Sequence, residues 1–167
     1  MNVRFKITAS LLASIRADLR RPHAHAHERV GFVAAGLATH SGGVLVLAHS
    51  YRPVADDDYL RDRSVGAMMG PEALRKALEW ALLEEHALFH VHTHGGRGIP
   101  GFSGVDLAEN RKFVPDFLKV APQNIHGAIV LSDDSAAGAF WSEASKQEAS
   151  IAQFVEVGPT VRKWGEA

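Results

Sequence analysis

The chain has 167 residues, 46% of them hydrophobic and 22% charged, with a formal net charge of −1 and no cysteine. That length supports one core rather than two, and the near-neutral charge excludes a global electrostatic pull toward nucleic acid or an anionic membrane. The absence of cysteine excludes disulfide scaffolds, thiolate zinc sites and cysteine nucleophiles together. The expectation is therefore a single domain over residues 1–167. Arg4, Lys6 and Arg16 interrupt the apolar run a signal peptide would need, and no segment approaches membrane-spanning length, which predicts a cytoplasmic protein.

Val3, Phe5 and Ile7 alternate with Arg4 and Lys6, the period-two pattern of a strand with one buried face. A helix follows, capped by Thr8 or Ser10, with Leu11, Ile15 and Leu19 on one stripe and Pro22 as its stop. ERVGFVAAGLATH and VLVLAHSYRPV flank Ser41-Gly42-Gly43 and predict a buried hairpin. Residues 51–69 show no sustained period and read as a surface excursion, with Asp56, Asp57 and Asp58 as a solvated loop. Gly70-Pro71 opens a second helix ending near Glu85, with Leu74, Ala77, Leu78, Ala81 and Leu82 facing the core. Residues 86–94 form a strand, and residues 104–120 a third helix bent by Pro115. IHGAIVL and AGAFW flank Ser132-Asp133-Asp134-Ser135 as a second hairpin, followed by a helical SEASKQEAS and a last strand, QFVEV. Interleaved helices and strands of this kind predict an α/β sandwich of helices around one curved mixed sheet.

The chemistry concentrates in HVHTHGGRGIPGFSGVD, residues 90–106. On an extended strand, residues two apart project to one face, so His90, His92 and His94 point the same way and two of them can bind one ion. A hydrolytic zinc site takes three protein ligands and leaves one position open, and Asp106, in the first turn of the third helix, is the third candidate. Ser103-x-x-Asp106 is also a helix capping pattern, which is compatible with ligation. His23, His25 and His27 alternate just before Glu28 and read as a loop or an exposed strand end.

His92-Thr93-His94, eight residues, then Ser103-Gly104-Val105-Asp106 resembles the H-[S/T]-H-x(7)-S-x-x-D signature of the JAB/MPN (JAMM) metalloproteases. Glu28-Arg29-Val30-Gly31-Phe32-Val33-Ala34-Ala35-Gly36 is similar to the family's early glutamate-bearing strand, and the order of elements agrees over about residues 3–160. Gly95 stands where members commonly carry proline, and the loop to the serine is one residue longer. Its four glycines (Gly95, Gly96, Gly98, Gly101) predict mobility.

The resemblance implies a single MPN/JAB-type, cytidine-deaminase-like fold with one zinc ion on His92, His94 and Asp106. It selects this histidine pair over His90/His92 and leaves His90 as a packing or supporting residue. It further implies Glu28 as general base and Ser103 as oxyanion stabiliser. The implied activity is a zinc-dependent isopeptidase or peptidase, deubiquitinase-like, cleaving after the Gly-Gly tail of a ubiquitin-like protein. Deconjugation or precursor maturation within a bacterial conjugation or antiviral defence pathway would be its setting. On that reading the acidic residues of the 51–69 excursion meet a basic face of the partner, and neither nucleic acid nor membrane is a partner. The alternatives are a zinc hydrolase of small amides or sulfur-carrier cysteine adducts, and a non-catalytic MPN scaffold.

Overall fold

The computed structural model of the chain describes residues 1–62 and 64–165. Residue 63 of the 51–69 excursion and residues 166 and 167 of the expected 1–167 domain lie outside the described residues. The first alternating stretch is strand β1 (Val3–Thr8), with Val3, Phe5 and Ile7 buried. Helix α1 (Ala9–Leu19) starts at once because the Thr8 hydroxyl accepts the Leu11 N–H at 3.2 Å, a cap worth about 1 kcal/mol. Strands β2 (Val30–His40) and β3 (Gly43–Pro53) form the first expected hairpin. Helix α2 (Pro71–Glu84) carries its proline at the first position, where no backbone donor is needed. Strand β4 (Ala87–Thr93) and helix α3 (Gly104–Val120) follow, then the second hairpin, β5 (Ile125–Leu131) and β6 (Ala136–Ser142). Short β7 (Ala149–Ser150), β8 (Gln153–Val157) and β9 (Arg162–Gly165) complete the chain.

Among the described residues, these elements make an α/β fold with three helices and one curled, mixed sheet of nine strands, ordered β7-β6-β5-β4-β2-β3-β1-β8-β9. The β1–β3, β1–β8 and β4–β5 pairs are parallel and the others antiparallel. The sheet separates two cores. On one face α1 sends Leu12, Ile15 and Leu19 against Phe5, Val33, Phe89, Val91 and Phe154. On the other, α2 and α3 cover Val30, Phe32, Ala34 and Leu88 with Trp80, Phe113, Val114 and Phe117. Strand alternation sorts residues between the two, so Val33 and Ala35 belong to the first core and Phe32 and Ala34 to the second.

Three expectations need correction. The inward face of α2 is Ala73, Ala77, Trp80 and Ala81, whereas Leu82 is 52% exposed and Leu74 and Leu78 are only partly buried. The small alanines let the helix approach closely and the Trp80 ring fills the remaining space, so volume rather than hydropathy chose the face. SEASKQEAS is not helical: Ser142 and Ser145 hydroxyls accept the N–H groups of Ser145 and Gln147, local bonds that compete with a helix, and Ala149 and Ser150 pair with β6. The last strand expected from the pattern, QFVEV, is β8, and the chain adds β9 beyond it, antiparallel to β8.

The 51–69 excursion is more integrated than a solvated loop. Asp56–Asp58 form a single 3-10 turn, and Asp58 is buried and paired with Lys76 at 2.8 Å. Asp56 receives two bonds from the Arg29 guanidinium, at 2.7 and 3.1 Å, and Arg29 itself is almost wholly buried. Two further donors go to the carbonyls of Arg21 and Pro22, so each of the three guanidinium nitrogens of this buried cation is bonded. Two of the three acidic side chains are thus engaged inside the chain.

Candidate metal centre

β4 lies between β2 and β5, the interior of the sheet, and its register sets the site. Val30 pairs with His92 and Phe32 with His90 in the antiparallel β2–β4 ladder. Just beyond the end of that ladder, Glu28 and His94 line the same cavity. His90 and His92 share the face of Leu88, toward α2 and α3.

Helix α3 delivers the third ligand. Its N-terminus is closed by a reciprocal capping box: the Ser103 hydroxyl accepts the Asp106 N–H at 3.2 Å, and Asp106 Oδ2 accepts the Ser103 N–H at 2.7 Å. The same carboxylate lies 3.4 Å from His92 Nε2 through Oδ1 and 3.2 Å from His94 Nε2 through Oδ2, and the two Nε2 atoms are 3.1 Å apart. Capping and ligation are one geometry here, because the cap holds Asp106 at the angle at which it faces the histidines. Burial alone would raise the Asp106 carboxyl; the bonds from His92 and Ser103 outweigh it and hold the group well below the usual carboxylate range.

The donor set fits a cation. Two imidazole nitrogens and a carboxylate converge, and a shared proton could satisfy only one pair of them. A divalent ion satisfies all three. The separations lie close to the edge of about 3.3 Å that a tetrahedral zinc ion with bonds near 2.05 Å requires. His92, His94 and Asp106 can therefore hold a metal ion, each offering a ligand atom within 4.8 Å of the others.

These three residues line a cavity of about 560 Å³ together with Glu28, Ser103 and the 64–69 segment. That segment is bound to the glutamate directly: the Gly66 carbonyl accepts the N–H groups of His27 and Glu28 at 2.8 and 2.9 Å. A Cβ at position 66 would lie 2.6 Å from the Glu28 carboxyl carbon, so a side chain there would push the end of Glu28 aside. Gly66 is a site residue that motif reading missed; the sequence signal available was a glycine in an irregular stretch, which is weak.

The glycine-rich loop predicted to be mobile is tied down instead. Asp134 Oδ1 accepts the Gly98 N–H at 2.8 Å, the Ser132 hydroxyl donates to the Gly98 carbonyl at 2.7 Å, and the Asp133 N–H donates to the Gly96 carbonyl at 2.8 Å. Arg16 on α1 and Arg20 at its C-terminal cap in turn bond Ser132 and Asp133. The β5–β6 turn therefore braces the loop between His94 and Ser103.

His90 lies outside the ligand set. It is buried against Phe32 and Phe113, and burial pushes its imidazole down to about 3, so it is neutral. His23, His25 and His27 sit in the irregular segment before β2, as expected, with His23 Nδ1 accepting the His25 and Ala26 N–H groups. Among the described residues no helix is long and apolar enough to cross a membrane.

No protein-family profile matches this sequence, and no curated protein matches it. Among solved structures, the chain is similar to the N-terminal domain of STIL from Trichoplax adhaerens, with 13% identity and a TM-score of 0.40. The match covers 80% of this chain and 39% of that one.

Proposed function

We propose that this chain is a JAB/MPN-type zinc metalloprotease, an isopeptidase or peptidase acting after the Gly-Gly tail of a ubiquitin-like protein. The observation that carries the reading is the convergence of His92, His94 and Asp106 in a cavity whose wall holds Glu28 and Ser103. When bound there, zinc would supply Lewis-acid polarisation of an amide carbonyl and a lowered pKa for water. Among the described residues lining the cavity, Glu109 and Asp116 are paired with lysines and Glu28 is in no ion pair, and its role is to accept the proton of the attacking water and return it to the leaving amine. Gly66 keeps that carboxylate in place. Ser103 accepts the Asp106 N–H with a lone pair, which leaves its own hydroxyl proton free to donate to the oxyanion of a tetrahedral intermediate.

A second reading, hydrolysis of small amides or cysteine adducts, is favoured by the cavity, which is larger than two glycines fill. A non-catalytic scaffold is disfavoured because every element of the set is present. The test has two parts. Metal analysis of the purified protein should return one zinc per chain, falling to none in Asp106→Ala. The zinc-loaded protein should then release a reporter joined by an amide to the Gly-Gly terminus of a ubiquitin-like protein, and Glu28→Gln should retain zinc without release. Zinc binding together with cleavage of small amides only would select the second reading.

A further inference from the structure

The cavity holds more than the metal ligands and their neighbours explain. Deep in it lie two polar side chains with no hydrogen-bond partner among the described residues. Both ring nitrogens of His90 are buried and unbonded, and so is Nδ2 of Asn110. His90 is 8% exposed and Asn110 only 2%. Neither is close enough to bond the carboxylate of Asp106 or Glu28. A buried unbonded polar group costs roughly 1–3 kcal/mol, so leaving three such atoms in one cavity needs a reason.

Their placement is not accidental to the fold. Asp106, Asn110, Phe113, Val114 and Phe117 follow one face of α3, so Asn110 stands between the ligand and the apolar core, where the stripe would otherwise be apolar. On β4, His90 stands between core residue Leu88 and ligand His92 in the same way. Both line the same cavity as Phe113, whose ring lies edge-on to His90 at 5.3 Å. Val30, Met69 and Leu74 complete apolar walls around them.

We propose that His90 and Asn110 form a subsite, in the cavity of the candidate metal ligands, for an uncharged substrate group that both accepts and donates hydrogen bonds, such as a carboxamide. The match is one of hydrogen-bond inventory. A neutral imidazole offers one donor and one acceptor, and Nδ2 of Asn110 offers donors only. A carboxamide oxygen accepts from Asn110 Nδ2 while its NH₂ donates to the acceptor nitrogen of His90, one group thus meeting one atom of each side chain. A carboxylate would be stranded without a cation in a cavity that already holds Glu28, Asp106, Glu109 and Asp116, where Lys112 is taken by Glu109 at 2.5 Å. An ammonium would meet donors head-on. The substrate class is therefore an amide whose neighbouring side chain ends in an uncharged hydrogen-bonding group, such as a carboxamide or a hydroxyl. This rests on the metal-hydrolase reading and narrows its substrate.

The test uses zinc-loaded protein and two hydroxamates, each a chelating head on a short alkyl chain, one ending in a carboxamide and the other in an isopropyl group of the same shape. Calorimetry should show the carboxamide probe binding at least about tenfold more tightly, because a site built for hydrogen bonds penalises the isostere that lacks them. Asn110→Leu and His90→Phe should each remove that preference, keep the zinc and leave the isopropyl probe unaffected. Both variants should also melt no lower than the parent, since each replaces unbonded polar atoms with apolar ones. Equal binding of the two probes, or a preference that survives in both variants, would overturn the subsite while leaving the metal centre standing. Failure of both probes to bind would remove the metal reading and the subsite with it.

Discussion

Strand β4 sends Ala87, Phe89 and Val91 toward α1, and Leu88, His90 and His92 toward α2 and α3. All six are buried, yet the two faces are filled differently. The α1 side is closed by rings and methyl groups, with Phe89 edge-on to Phe5 at 5.1 Å. The α3 side contains a cavity and polar atoms without partners. Another buried histidine sharpens the contrast. His126, fully buried on β5 against Phe117, accepts the Leu88 N–H at Nδ1 and donates from Nε2 to the Ala121 carbonyl, so both nitrogens are satisfied and the tautomer is set. A histidine that serves the fold is bonded; one that serves a ligand is left open. Burial alone does not separate the two, and the hydrogen-bond inventory does.

The largest effect should come from the closed face. Phe89→Ala opens a cavity in tight packing and should lower unfolding free energy by about 3–5 kcal/mol in denaturant titration, whereas His90→Phe on the open face should cost nothing. A comparable loss in His90→Phe would mean the open face is structural after all.

Next in size is a kinetic effect confined to the open face. Glu28→Gln should reduce hydrolysis by about 10²- to 10⁴-fold, the usual contribution of a general base, with zinc content unchanged. Wild-type turnover in that variant would take the base assignment from Glu28.

The pH response of His126 tests the bonded histidine. Burial, opposed by the bond to Ala121, depresses its pKa to about 4 from an ordinary value near 6.5. Between those values the unfolded chain binds a proton that the folded chain refuses, so the stabilisation is complete above about pH 6.5 and declines as pH falls toward 4. The linkage slope from His126 alone is about 1.4 kcal/mol per pH unit, roughly 3 kcal/mol across the window, and His90 adds to it with the same sign, so denaturant titration of the metal-free protein is compared with that of His126→Phe. Nitrogen shifts in the ring should stay those of the neutral form down to about pH 5, and titration near 6.5 would refute the burial argument.

The smallest effect belongs to the hinge between fold and site. Gly66→Ala should displace the Glu28 carboxylate and reduce hydrolysis about tenfold while His92, His94 and Asp106 keep the metal. A fully active Gly66→Ala protein would show that the carboxylate has room elsewhere.

Much of this was legible from one-dimensional patterns. Both hairpins, the limits of α3 and the cap at Thr8 follow from alternation, turn residues and capping side chains, which act over a few positions. The spacing of His92, His94 and Asp106 was legible for the same reason, since strand pleat and helix start each define a direction locally. The inward face of α2 was not, because Trp80 competes with Leu82 for the core and only the shape of the facing sheet decides between them. Nor was the bracing of the glycine-rich loop, which depends on Ser132 and Asp134 arriving from another hairpin.

The sequence by itself determined which side chains could bind a cation, since imidazoles two apart on a strand and a carboxylate in a capped first turn are fixed in direction by backbone geometry alone. Only the tertiary structure decided that the strand end and the helix start face one point, that Gly66 reserves the space beside Glu28, and that His90 and Asn110 share a cavity without partners. The physical reason is range. Local dihedral preferences orient a side chain relative to its own backbone, while the distance between two such side chains is set by how whole elements pack.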